Sequence, residues 1–345
     1  MQVYYWAFLI ALAAAYGLTP AVKVLANRIG ALDKPGERKI HTRSLPLLGG
    51  VAIYAGFCLA VLFTLGARNL QIRGILLGAT LIVLLGMVDD FRPLPARLKL
   101  LGQVLIAAVV VIPFGVRIEW LTNPMSGMVY LGRLGIPLTI VWFVAVINTV
   151  NLSDGLDGLA AGISSIAAAT LFLIAWKAGQ GQVLILTAAL AGGALGFLRY
   201  NFSPAKIFMG DSGSMFLGFV LAAVAVQGAM KSAATIALAV PILALGVPVF
   251  DTSFAIIRRF LNGRPIYEAD RDHLHHRLLQ MGLNQRQAVL FIYTVSLYLG
   301  FAAYILSELD GAAAALVLAV VGCTVWFGAK LMGILEVKPG KHYEG

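Results

Sequence analysis

Apolar runs of membrane-spanning length recur from one end of this sequence to the other, and they restrict its fold more than any other feature. Eleven can be drawn, at 4–22, 46–66, 72–88, 98–116, 136–150, 158–176, 183–199, 213–230, 235–257, 287–306 and 312–331. A helix rising ~1.5 Å per residue needs about 20 residues to cross ~30 Å of hydrocarbon, so the shorter runs must lie upright or be sheltered. Only 12% of the residues are charged and 60% are hydrophobic. The expected fold class is an all-α polytopic membrane protein of about 11 transmembrane helices, forming one domain over 1–345 with no internal repeat. The first run is read as a retained span, because no Lys or Arg precedes it and it is too long for a cleavable signal. Cys58 and Cys323 fall inside apolar runs and read as small hydrophobes.

Charge gives the run boundaries an orientation. With the N-terminus outside, 20 of the 26 Lys and Arg residues fall in the inner loops and the tail, and 6 fall outside. Positive residues are retained on the cytoplasmic side, so this split predicts an outer N-terminus and a cytoplasmic C-terminus. It also explains the +10 net charge without nucleic acid as a partner. Thirteen of the 16 acidic residues are then cytoplasmic too, and so is every polar cluster. The outer segment 117–135, "RIEWLTNPMSGMVYLGRLG", reads as a small interfacial hairpin without chemistry.

"GMVDDF" ends the third run on Asp89 and Asp90. A helix C-terminus disfavours negative charge, so the pair is either neutralised by Arg92 and Arg97 or, as its place at the membrane edge favours, holds a cation or acts as a base. "NTVNLSDGLDGLAAG" sets Asn148, Asn151, Asp154 and Asp157 three residues apart. On a helix that step drifts only ~60° each time, so the four would sweep one inward face suited to a nucleotide, a sugar or hydrated Mg²⁺. Asp154 is alternatively a helix cap.

"FMGDSGSMFLG" opens a run on Asp211, where a helix N-terminus would favour phosphate and the carboxylate could bind Mg²⁺, with plain capping by Asp211 or Ser212 as the other reading. "DRDHLHHRLLQMG" carries His273, His275 and His276 with Arg277. Arg258, Arg259, Arg264, Arg271 and Arg277 in one loop suggest a phosphate clamp, whereas zinc held by these histidines with Asp270 or Asp272 fits so basic a segment poorly. Asp251 reads equally as a site residue and as a partner for a loop arginine. Loop 23–45 adds more cations and His41.

Together these motifs resemble the polyprenyl-phosphate N-acetylhexosamine-1-phosphate transferases. The matching pieces are "DD" at 89–90, "NTVNLSDGLDGLAAG", "FLRYNFSPAKIFMGDSGS" at 197–214 and "DRDHLHHRLLQMG" at 270–282, in family order along nearly the whole chain. The His273-x-His275-His276-Arg277 pattern is similar to the branch that makes polyprenyl-diphosphate-GlcNAc, with UDP-MurNAc-pentapeptide as the alternative donor.

The resemblance implies attack by a polyprenyl (undecaprenyl) phosphate on UDP-GlcNAc, releasing UMP, in a bacterial-type inner membrane with the site on the cytoplasmic face. It implies Asp211 as ligand of Mg²⁺ (or Mn²⁺). Asp89, Asp90, Asp154, Asp157 and His273 stand as catalytic candidates. Asn148, Asn151, Asn201, His275, His276, Arg277, Lys99, Arg258 and Arg259 stand as substrate-binding candidates, and a homodimer is compatible with the sequence. The rival readings are an ion or solute transporter, which would place acids near the middle of its spans, and a lipid-binding scaffold without catalysis.

Overall fold

A computed structural model describes residues 2–33, 44–123, 127–229, 239–261, 273–309 and 311–333. Each of the eleven apolar runs holds helix. The first is α1 (Val3–Ile29), followed by α2 (Gly49–Thr64), α3 (Leu70–Phe91), α4 (Ala96–Val111) and α5 (Gly135–Leu152). Next come α6 (Leu159–Lys177), α7 (Gly181–Asn201), α8 (Gly210–Ala229), α9 (Ala239–Ala244) and α10 (Gly246–Leu261). The last are the short α11 (Leu274–Gln280), then α12 (Gln285–Leu306) and α13 (Gly311–Leu331). Among the described residues eight helices are long and apolar enough to cross a membrane, and the chain is a multi-pass membrane protein.

Local sequence accounts for several helix ends. Asn69 accepts the backbone N–H groups of Gln71 and Ile72 at the start of α3, and Asn284 and Gln287 form a reciprocal capping box on α12. Gly30, at φ 74°, ends α1 in the left-handed conformation that glycine adopts without strain. The ninth run divides between α9 and α10. Pro248 has no N–H to give Ala244, so the helical ladder is interrupted there.

Helix α8 is the centre of the molecule. It packs against α2, α3, α5 and α6, and Phe216 and Phe219 are fully buried against Tyr54, Phe57 and Phe143. Gly86 of α3 and Gly50 of α2 allow the backbone at Ser212 and Gly213 to approach where any side chain would collide. Close backbone approach of this kind is how helices associate where lipid removes most of the hydrophobic drive. Outward faces stay apolar, as Leu9, Leu105, Phe301 and Phe327 show.

Two small hairpins complete the fold. β1 (Leu32–Asp33) pairs antiparallel with β2 (Leu45–Pro46). The 202–209 segment is bonded to the same region through Phe208 N–H to Pro46 O and Gly49 N–H to Phe208 O, both 2.9 Å. β3 (Trp120–Asn123) pairs with β4 (Gly127–Tyr130), with Trp120 opposite Tyr130, as the hairpin reading of 117–135 expects.

Candidate active site

The polar clusters converge at one end of the bundle around a cavity of about 830 Å³. Asp89 and Asp90 come from the end of α3, Asn151 from the last turn of α5, Asp211 from the first turn of α8, and His275 and His276 from α11. The turn between α5 and α6 adds Asp154 and Asp157.

The carboxylates are held individually. Asp90 accepts the backbone N–H of Asp211 at 2.7 Å and of Ser212 at 3.2 Å, which caps α8 from another helix. Asp89 accepts Leu94 N–H at 2.6 Å and pairs with Lys99 Nζ at 2.7 Å. The same ammonium lies 3.1 Å from Asp211 Oδ1 and 3.1 Å from Asn151 Oδ1. Asn151 in turn donates to Asp211 Oδ1 and, at 2.8 Å, to Ser214 Oγ. Lys99 therefore stands at the centre of a cluster drawn from α3, α4, α5 and α8.

The other expected residues divide between wall and scaffold. Asn148 lies deeper, bonded to Gln103 and to Val144 O, and is not on the cavity wall. Asn201 reaches the wall but is 2% exposed, and its amide joins Gly158 N–H to Ile207 O at 3.0 Å each. Asp157 accepts Ala205 N–H at 2.9 Å and so holds the same 202–209 segment. His273 is buried off the wall, with Nδ1 2.9 Å from Asp251. Arg258, Arg259 and Arg277 also do not line the cavity. His41, Arg264, Asp270, Arg271 and Asp272 lie outside the described residues.

One expectation about geometry is overturned. Asn148, Asn151, Asp154 and Asp157 do not share a single helix face, because α5 ends at Leu152 and α6 begins only at Leu159. Gly158 at φ 80° turns the chain in between, so the three-residue step is helical only for the asparagines. Nor does Asp154 cap α6, whose N-cap is Gly158. Asp154 is instead set deep in the cavity, partly open to it. Burial, then the charges of Asp211, Asp90 and Asp157, push its carboxyl up to about 8. His275 is moved the other way, to about 4, first by burial and then by neighbouring His276.

Sequence reasoning left two contributors unassigned and a third, Asp251, undecided. Asp33 joins the wall because β1 is tied to β2 beside the 202–209 segment. Gln103, fully buried in α4, positions Asn148, and a glutamine inside an apolar run was the available signal. Asp251 bonds a histidine rather than only a loop cation.

Comparison with known proteins places this site in a family. The family model described as glycosyl transferase family 4 matches residues 72–229, the stretch that carries Asp89 through Asp211. A Bacillus subtilis protein named "Probable undecaprenyl-phosphate N-acetylglucosaminyl 1-phosphate transferase" is 41% identical over 303 residues, covering 88% of this chain and 84% of that protein. The chain belongs to the polyprenyl-phosphate N-acetylhexosamine-1-phosphate transferases. Two further relatives of this transferase family are more distant. Decaprenyl-phosphate N-acetylglucosaminephosphotransferase of Mycobacterium leprae is 38% identical over 320 residues, covering 84% of this chain and 79% of that protein. Undecaprenyl-phosphate alpha-N-acetylglucosaminyl 1-phosphate transferase of Escherichia coli K12 is 29% identical over 277 residues, covering 78% and 74%.

Proposed function

We propose that this transferase moves GlcNAc-1-phosphate from UDP-GlcNAc to a polyprenyl phosphate such as undecaprenyl phosphate. A lipid phosphate oxygen attacks the sugar-linked phosphorus, the P–O bond to the uridylate breaks, and polyprenyl-diphosphate-GlcNAc and UMP result. The names of the relatives supply the acceptor and the transferred sugar. The excess of inner Lys and Arg supports an outer N-terminus, a cytoplasmic C-terminus and a cavity open to the cytoplasm of a bacterial plasma membrane.

The observation that carries the mechanism is the charge of the cavity wall. Six aspartates line it, Asp33, Asp89, Asp90, Asp154, Asp157 and Asp211, with no Lys or Arg among the described lining residues. Two phosphate-bearing substrates cannot meet against such a wall unless cations intervene. Hard carboxylate oxygens suit Mg²⁺, or Mn²⁺ in its place. Among the described residues no three His, Cys, Asp or Glu side chains form a metal cage of their own. That donor set fits an ion completed by water and substrate phosphates rather than structural zinc.

Asp211 would hold the metal, which when bound neutralises charge building on the transferring phosphoryl group. Lys99 fixes the directions of Asp89 and Asp211, and Asp90 fixes the backbone from which Asp211 projects. Asn151 orients the same carboxylate, and His275 and His276 line the cavity beside it.

Purified protein in lipid nanodiscs, supplied with polyprenyl phosphate, Mg²⁺ and a panel of UDP-sugars, should release UMP with UDP-GlcNAc and stop on chelation. Release with UDP-MurNAc-pentapeptide alone would reassign the donor. No UMP from any sugar, or solute uptake without UMP release, would overturn the reading.

A further inference from the structure

Asp251 belongs to none of the motifs that line the cavity, yet it is the anchor of the histidine helix. It lies in α10, with 9% of its surface exposed. Its two carboxylate oxygens serve two consecutive residues far along the chain. Oδ2 is 2.9 Å from His273 Nδ1, and Oδ1 accepts the backbone N–H of Leu274 at 2.8 Å. The second bond satisfies one of the orphan N–H groups at the start of α11, a helix that has no side-chain cap of its own. The first fixes a ring. A carboxylate only accepts, so His273 carries a proton on Nδ1 and turns Nε2 away from Asp251.

That ring is one layer from the cavity. His273 and His275 stack with planes 2° apart and centroids at 5.9 Å, and His275 lies 4.2 Å from the ring of His276. His275 and His276 are on the wall, whereas His273 and Asp251 are behind it. On its other side His275 abuts Gly155, where any side chain would overlap its Nε2. His275 is thus clamped between the turn that carries Asp154 and a stack whose far end is bonded to α10.

We infer that Asp251 is a positioning residue for the transfer reaction, acting through His273 to set the tautomer and the place of the His273–His275 pair at the cavity wall. The inference rests on the proposed activity only where it speaks of rate; the tautomer is a property of the resting protein. A role confined to packing α10 would need neither a charge nor two bonds to the histidine segment, and it would affect stability rather than turnover.

The test joins kinetics to a spectrum. Asp251→Asn keeps the shape but presents an amide N–H to Nδ1, which reverses the tautomer. We expect kcat to fall roughly 100-fold, the cost typical of misplacing groups by about 1 Å, with KM for UDP-GlcNAc and the melting temperature nearly unchanged. Because both residues act as one unit, Asp251→Asn combined with His273→Gln should be no slower than the worse single variant. Asp251→Glu should recover part of the loss. In ¹⁵N-histidine spectra, wild-type His273 (assigned by its absence in His273→Gln) should show a protonated Nδ1, and Asp251→Asn should lose it. Undiminished turnover in Asp251→Asn, losses that multiply in the double variant, or a wild-type His273 with bare Nδ1 would each overturn the inference. A wild-type protein that releases no UMP would instead defeat the proposed function, and the wild-type spectrum would then decide only the tautomer part of the inference; if Asp251→Asn does not fold, the wild-type spectrum and the turnover of Asp251→Glu and His273→Gln carry the test.

Discussion

The carboxylate of Asp90 accepts the backbone N–H of Asp211 at 2.7 Å, so one acid of the site sets the position of another that is 121 residues away in sequence. Gly210 makes the contact feasible, since a side chain there would strike the Asp90 carboxylate and its φ of 72° favours glycine. The start of α8, the most enclosed of the long helices, is capped by tertiary structure rather than by its own residues.

Asp90→Ala should therefore lose both turnover and about 1–2 kcal/mol of stability, as removal of a helix cap does. Asp90→Asn retains an acceptor and should keep most of the stability while losing the charge. Thermal melts in detergent beside UMP release separate the two effects; equal melting losses in both variants would contradict the capping role.

Lys99 holds Asp89 at 2.7 Å and Asp211 at 3.1 Å. Lys99→Met leaves two carboxylates without their shared cation. Removing one partner of a buried pair costs about 3–5 kcal/mol, and the open side of Asp211 reduces this to about 1–3 kcal/mol here. Turnover should be lost, and added Mg²⁺ should recover part of the melting temperature because the divalent ion replaces the missing charge. A Lys99→Met protein with wild-type melting and activity would refute the cluster.

Gly155→Ala is a small substitution with a large expected effect. The added methyl would overlap His275 Nε2, so either the turn or α11 must shift. Overpacking of this kind costs about 1–3 kcal/mol, and kcat should fall with it. Gly181→Ala, where nothing lies within 4 Å and the backbone is not left-handed, serves as the control that adds a methyl without the contact.

The pH dependence of stability should contain two opposing contributions. His275 falls from 6.5 to about 4 on folding, so the unfolded chain binds the extra proton between these values. Its contribution is complete above pH 6.5 and is lost as pH falls toward 4. Asp154 rises from 3.8 to about 8, so its contribution is complete below pH 3.8 and is lost as pH rises toward 8. Either slope is at most about 1.4 kcal/mol per pH unit. Melts across pH in the presence of a chelator should show that Asp154→Asn is relatively more stable than wild type at pH 8, and that His275→Gln flattens the acid limb. A wild-type protein whose pH profile neither substitution alters would contradict both shifts.

Much of this was legible in the residues themselves. Apolar runs located a helix in every expected place, because a segment that must satisfy its backbone in lipid has few alternatives. Four polar motifs identified the walls, because acids at the edge of an oily run are costly and rarely idle. The three-residue step of Asn148, Asn151, Asp154 and Asp157 was misleading as geometry, since periodicity assumes a continuous helix and Gly155 and Gly158 fall within it.

The sequence by itself determined that the chain is a helical multi-pass membrane protein and which polar side chains are candidates for its chemistry; both follow from local pattern and the cost of polar groups near hydrocarbon. Only the tertiary structure decided which of those side chains face the cavity and which brace it. Asn148, Asn201 and His273 have the composition of ligands but spend their polar atoms on Gln103, on two loop backbones and on Asp251. The physical reason is that a buried polar group must find a partner, and for the bonds to Gln103, Gly158 and Asp251, which span 45, 43 and 22 residues, that partner is chosen by how the helices pack.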